Sequence, residues 1–338
     1  MTTLKDIARA CGVSAVTVSD ILNNKAGAAG AETRERVLAA AREMHYRPNM
    51  VARGLRNGRT NAIGVILRYG GTPGTSNPAA MMLLDSILAV NTRQHKTTIL
   101  VTTEDWLDEQ GMSQNATLTA CDGIIVTVPP NCDDFKPIMD RHKLPFVSIG
   151  TKSDREDISY VDIDNVAAAQ SAVAHLVAKG HKRIAYFSDV DHKYLFAQER
   201  FEGYRLGMQA HGLPISHDWE LIGPNPTTDL ATLFRLPPKE RPTALFCVTD
   251  YAALPALNVL VDECGLNVPD DVSLMGFDDL PAISLMRPAL STVRQPLMEI
   301  AETAATLLLD IIAGREKQGK KILLPAMVIE RDSVTPPR

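Results

Sequence analysis

The sequence predicts a small all-α head followed by a larger α/β body built from two similar lobes. Its 338 residues suffice for two or three domains at the usual ~100–200 residues each. Up to about residue 60 the apolar residues recur at helical spacing. From Ala62 onward, apolar β-rich runs alternate with helical stretches, the pattern of parallel sheets covered on both faces. Charge divides at the same place: residues 1–60 carry ten Lys/Arg against five Asp/Glu, and the remainder carries 25 against 35. A basic head on an acidic body predicts that the head alone meets a polyanion.

The head reads as three short helices. Thr3-Leu-Lys-Asp6 has the spacing of a capping box, in which each side chain accepts from the other residue's amide. The helix it opens, roughly Leu4–Ala10, places Leu4, Ile7 and Ala8 on one face. Gly12 can take a left-handed turn and Ser14 can cap the next helix. Ala15–Leu22 is that second helix, with Val18, Ile21 and Leu22 turned inward. After the loop Lys25–Ala31, Glu32–Met44 is the third, with Val37, Leu38 and Ala41 at helical spacing. Two short helices joined by Gly-x-Ser form a helix–turn–helix, whose second helix enters the major groove with its first turn facing base edges. Ala15 and Val16 then meet thymine methyls, and Asp20 accepts from a cytosine amine. Thr17 and Ser19 bond phosphates, or Thr17 serves only as an internal cap.

Met50–Arg56 is a short helical piece, too short to be stable alone, and Asn57-Gly58-Arg59 a joint. Strands are expected at Ile63–Leu67, Thr98–Thr102, Gly123–Val128, Phe146–Ile149, Arg183–Phe187, Ala244–Val248 and Val272–Phe277, too many for one small sheet. Helices are expected at Ala79–Thr92, Val166–Lys179, Arg200–His211, Tyr251–Cys264 and Met298–Ala313. The longest apolar runs, Ala62–Leu67 and Thr306–Ala313, fall far short of the ~18 residues of a membrane span, and Met1–Lys5 lacks a signal-peptide core. Five cysteines without any C-x-x-C pair read as reduced thiols of a cytoplasmic protein. Eight histidines without metal-ligand spacing, and the lack of G-x-S-x-G, predict no metal, no cofactor and no enzyme. Gly314–Lys321 nearly spells a P-loop, but it follows a helix and Lys321 is not Ser or Thr. Trp219 begins a strand-like run, Trp219–Ile222, and packs there in preference to stacking on a sugar.

Thr3-Leu-Lys-Asp-Ile-Ala, Gly12-Val-Ser-Ala-Val-Thr-Val-Ser-Asp-Ile-Leu-Asn23, Thr33-Arg-Glu-Arg-Val and Tyr46-Arg-Pro-Asn-Met-Val-Ala-Arg-Gly-Leu55 together resemble the lactose/galactose-repressor family of bacterial transcription factors. The likeness continues through Asp122-Gly-Ile-Ile, Val161-Asp-Ile-Asp-Asn165, Gly180-His-Lys-Arg-Ile, Pro242-Thr-Ala, Gly276-Phe-Asp-Asp279 and Thr292-Val-Arg-Gln-Pro296, essentially the whole chain in the family's order. The resemblance implies a helix–turn–helix head (1–47), a hinge helix and linker (48–61), and a two-lobed core of the periplasmic-binding-protein-like type (62–338). The lobes would be approximately 62–161 with 291–322, and approximately 162–290 with 323–338, the chain crossing near Asp162, Leu290 and Leu323. It adds Asn23, Asn49, Arg53 and Leu55 to the DNA-contacting set, Leu55 as a wedge in the minor groove of a palindromic operator. For the cleft between the lobes it implies Arg200, Asp278 and the pair Thr249-Asp250, with Asp250 either a ligand contact or a helix cap. A guanidinium fork and a carboxylate suit a hydroxylated effector, a sugar first and a purine-type corepressor second. The Gly/Pro-rich loop Tyr69–Asn77 would line the cleft mouth.

The chain departs from the family at several positions. Gly30 stands where a serine often caps the third helix, and Asp20 where arginine or histidine often reads the operator. Gly150 replaces an acid at the cleft, Thr249 an asparagine, and Pro255 a glycine. The expected assembly is a homodimer with no coiled-coil tetramer, since no leucine heptads follow Pro325. A sugar-binding protein without a DNA role is the remaining alternative.

Overall fold

The computed structural model describes residues 2–22, 25, 27–46, 60–69, 72–73, 77–101, 120–223 and 225–338. Two compact units emerge, Met1–Thr60 and Asn61–Arg338.

In the first unit, α1 (Leu4–Cys11) opens with the capping box: the Thr3 hydroxyl accepts from the Asp6 amide at 3.4 Å, and the Asp6 carboxylate accepts from the Thr3 amide at 2.9 Å. Gly12 ends it in the left-handed region at φ 63°. α2 (Ala15–Leu22) is capped by Ser14, whose Oγ accepts from the Thr17 amide at 3.0 Å. α3 (Ala31–Glu43) begins at Gly30 with no side-chain cap, the cost of a glycine at that position. Ile7, Val18, Ile21 and Val37 are fully buried and make one small core across the three helices. The hinge piece expected at Met50–Arg56 lies outside the described residues, as do most of Tyr69–Asn77.

The second unit contains two parallel sheets. β1 (Ala62–Ile66), β2 (Thr97–Val101), β3 (Gly123–Thr127), β4 (Phe146–Ile149), β5 (Ser159–Ile163) and, from near the chain's end, Lys321–Leu324 make the first. Its order is Lys321–Leu324, β5, β4, β3, β1, β2. β6 (Ile184–Ser188), β7 (Glu220–Ile222), β8 (Ala244–Cys247) and β9 (Ser273–Met275) make the second, in the order β9-β8-β6-β7. β1, β3, β4, β5, β6 and β8 are buried at every position, as strands covered on both faces must be. Thr292–Arg294 (β10) and Met327–Ile329 (β12) pair antiparallel, Lys321–Leu324 being β11, and Ser291 just before β10 bridges to Met275 of β9.

Helices cover the sheets. α4 (Pro78–Arg93) and the later Leu297–Ile312 (α10) pack on one another and on the first sheet. α5 (Lys136–His142) precedes β4. α6 (Asn165–Ala178), α7 (Leu195–Ala210), α8 (Pro226–Phe234) and α9 (Asp250–Asn258) belong to the second sheet. One hydrophobic cluster runs continuously through both lobes, from Ile63 and Ile125 to Tyr186 and Phe246.

Tertiary structure changes several expectations. The expected lobe breaks at 161/162 and 322/323 fall inside strands: Asp162 pairs with Leu323 and Ile163 with Leu324, keeping both strands in the first sheet. Ser159–Ile163 is a strand that the apolar pattern does not announce, because Ser159 and Asp162 interrupt the run, yet every residue in it is buried. The single helix expected over Tyr251–Cys264 is α9 followed by a wider π-turn, Val259–Glu263. Pro255 lies inside α9 and has no N–H for the helix ladder.

Candidate functional site

The exposed surface of α2 carries the residues expected to read DNA. Val16 is 54% exposed, and Ala15, Thr17, Ser19 and Asp20 are half-buried. Thr17 is not wholly free: its hydroxyl lies 2.9 Å from Ser14 Oγ, the atom that caps its own amide. Asp20 lies 3.5 Å from the Lys25 ammonium. Asn23, Asn49, Arg53 and Leu55 lie outside the described residues.

In the body, Arg200 is 1% exposed. It reaches its position because α7 and α6 pack closely where Gly203 faces Val166 and Ala169; a Cβ on Gly203 would stand 2.4 Å from the Val166 carbonyl oxygen. Arg200 Nε donates to Asn165 Oδ1 at 3.0 Å, and Nη1 donates to the Val248 carbonyl at 2.7 Å and lies 3.4 Å from Asp278 Oδ1. Its guanidinium stacks 3.7 Å from the centroid of Phe277 and 4.8 Å from that of Phe196. Asp278 accepts from the Gln295 side-chain amide as well. This acid takes an unusual backbone, φ 133°, in a loop where Asp279 has φ 63°.

Arg200 lines a small cavity of about 20 Å³, room for about one water molecule. Leu83, Val128, Ile149, Gly150, Leu297 and Ile300 supply an aliphatic wall from the first lobe. Phe196 joins Arg200 from α7, while Asp162 and Gln295 stand where the chain passes between lobes. Gly150 has φ +71°, and a Cβ there would lie 3.0 Å from Val128 Cγ2, so Val128 occupies the space an acid would need.

Asp162 is 2% exposed. Its Oδ1 accepts from the Ile163 amide at 2.8 Å, while Oδ2 is buried without a hydrogen-bond partner. Burial pushes the carboxyl up to about 7, against the opposing pull of the Ile163 amide. Beside it Lys152 and Glu199 form an ion pair at 2.7 Å.

The four expected cleft residues therefore divide. Arg200 lines the cavity, and Asp278 bonds to two side chains that do. Thr249 and Asp250 are spent elsewhere. The Thr249 hydroxyl caps α9, accepting from the Ala252 amide at 2.9 Å. Asp250 is not the cap; it accepts from the Leu280 amide at 2.8 Å and the Thr292 hydroxyl at 2.6 Å, tying β10 to the Asp278 loop. Burial, then the nearby Asp278 charge, raises its carboxyl to about 7. Sequence reasoning missed Asp162, Asn165, Gln295 and Phe196 as part of this site. Two motifs, Val161–Asn165 and Thr292–Pro296, contain the first three, but neither motif's spacing marks its polar residues as facing a cavity. Trp219 packs at the edge of the second lobe's core, away from the cavity.

Comparison with known proteins agrees with this architecture. The profile of bacterial regulatory proteins of the lacI family matches residues 3–49, and that of the periplasmic binding protein-like domain matches residues 173–334. The chain is 32% identical to the HTH-type transcriptional repressor PurR of Vibrio parahaemolyticus serotype O3:K6, across 99% of both chains. Its fold is similar to that of the Lac repressor dimer bound to operator and an anti-inducer (24% identity, TM-score 0.80, 99% of both chains). It is also similar to a LacI family regulator from Enterococcus faecium with bound ribose (25% identity, TM-score 0.68, 82% of this chain and 100% of that one).

Proposed function

This chain belongs to the lacI family of bacterial regulatory proteins, and from that premise we propose how its residues carry out repression. It is a DNA-binding transcriptional repressor governed by a small-molecule effector, and not an enzyme. α2 lies in the major groove, with Ala15, Val16 and Asp20 toward base edges and Ser19 toward phosphate. Thr17 orders the helix start through Ser14. Asn23, Asn49, Arg53 and Leu55 complete the contact set, Leu55 as the minor-groove wedge. The protein acts as a cytoplasmic homodimer on a palindromic operator, each head reading one half-site.

The observation that carries the effector assignment is the buried Arg200–Asp278 pair beside a cavity lined by both lobes. The cavity is too small to hold a sugar, so the effector enters a more open arrangement of the lobes and biases the equilibrium through its differential affinity. Guanidinium, carboxylate and amide side chains suit hydroxyls, and a sugar is the effector class we propose; a bound ribose in the Enterococcus faecium regulator supports the choice.

Fluorescence anisotropy of the full chain on palindromic DNA, titrated with D-ribose, other sugars and nucleobases, tests the reading. A sugar that shifts DNA affinity supports it. A response to nucleobases alone replaces the sugar with a purine-type corepressor, and absence of DNA binding overturns it.

A further inference from the structure

Asp162 stands on β5 at the wall of the interlobe cavity, and its Oδ2 is buried with no partner. The charges that face it are committed to one another. Lys152 pairs with Glu199 at 2.7 Å. Arg200 is spread over Asn165, the Val248 carbonyl and Asp278. The closed cleft thus contains one acceptor that none of these neighbours satisfies, and a buried acceptor left open loses its hydration without replacement. A proton on Oδ2 can fill the gap, or a donor delivered from the cavity can.

We infer that Asp162 is a specificity-determining residue of the cleft, whose free oxygen accepts from a hydroxyl of the effector, so that effector binding displaces a proton. The inference rests on the cleft being the effector site. Lys152 and Arg200 both lie close enough to act on Asp162 electrostatically, which disfavours a cationic donor and leaves a neutral hydroxyl as the fitting group. Burial already holds the acid near neutrality, at about 7, with Glu199 pushing it up and Lys152 and Arg200 pulling it down. In the empty cleft below about pH 7 the oxygen therefore carries the proton. A hydroxyl–carboxylate bond requires that proton to leave.

The test uses the full-length protein, wild type beside D162N, with D162S if D162N does not fold. Without ligand, unfolding is followed from about pH 5 to about pH 9. Wild type loses stability as pH rises through about 7, and D162N, which keeps the raised Asp250, loses less of it. The ratio of their unfolding constants changes at least about tenfold across the range. Parallel profiles overturn the inference. Calorimetry with D-ribose, D-glucose and cellobiose, at about pH 6.5 in buffers of different ionisation enthalpy, then reads proton release. For any sugar that binds, proton release together with at least about tenfold weaker binding by D162N supports the inference. Equal affinity for both proteins, or no proton release, overturns it. Failure of every sugar to bind removes the sugar reading of the cleft and the hydroxyl assignment with it. The pH profiles still decide, independently, whether Asp162 takes the proton.

Discussion

Arg200 is held from three directions and has no exposed surface to spare, so its removal is felt twice. Arg200→Ala takes a cation from the buried Asp278, which keeps its bond from Gln295, beside an Asp250 whose carboxyl burial already raises. Breaking one side of a buried pair costs about 3–5 kcal/mol, and denaturant unfolding of the variant should show a loss on that scale. The same variant should lose the effector's influence on DNA. Its effector-free DNA binding should persist, because the head is a separate compact unit; unchanged effector affinity would mean that the cavity is not the binding site. A pH prediction belongs at this scale too. Asp162 and Asp250 both have folded-state carboxyls raised to about 7. A group raised on folding stabilises fully below its unfolded value near 4, and that stability is lost as pH rises through about 7. Asp157 and Asp271, held low by Arg155 and by the Asn267 amide respectively, act oppositely and lose their contribution as pH falls below about 4. Melting temperature against pH should therefore peak at mildly acid pH and have declined by about pH 7, the decline blunted by His175 and His181, whose values burial lowers and which favour the higher pH. A profile that rises steadily from pH 5 to pH 8 would contradict the burial of both acids.

Helix α7 owes its place to two small residues on one face. A Cβ on Gly203 would meet the Val166 carbonyl oxygen and Ala169, and one on Gly207 would lie 2.8 Å from Val173 Cβ. Gly203→Ala must push α7 off α6, which overpacking data put at about 1–3 kcal/mol. The shift also draws Arg200 away from Asn165, which sits at the start of α6. Effector affinity should consequently fall in the folded variant, although residue 203 does not line the cavity. Wild-type stability together with wild-type effector affinity would show that the contact between the helices is looser than described. At α9 the corresponding lesson concerns caps: Thr249 supplies the hydroxyl that satisfies Ala252, freeing Asp250 to link β10 and the Asp278 loop. A Thr and an Asp side by side can exchange these roles without any change in sequence pattern, so the pattern alone does not say which of them caps.

For the whole molecule, charge is carried unevenly, ten basic against five acidic residues in the first 60 and the reverse excess in the rest. DNA association should depend on the head and fall steeply with salt. If two heads neutralise 6–10 phosphates, affinity drops about 10³-fold or more between about 50 and about 200 mM salt. Arg9, with 82% of its side chain exposed, is one of the cations available for this. Anisotropy across that range checks it, and a nearly flat dependence would place the contact surface elsewhere.

Local signals made the head legible. Thr3 and Asp6, Gly12, and Ser14 with Thr17 each act within four residues of themselves, so capping geometry and a left-handed turn are written into short segments. The alternation of buried strands and helices was legible for the same reason: β1, β3, β4, β6 and β8 are rich in apolar residues throughout because both faces are covered. Long-range packing decided the rest. Ser159–Ile163 became a strand only because β4 on one side and Lys321–Leu324 on the other accept its ladder, and the second of these comes from the far end of the chain. The same placement turned Asp162 from a polar interruption into an unpartnered acid at the cavity wall. Whether a carboxylate is solvated, paired or stranded depends on which distant residues surround it, and no spacing along the chain records that.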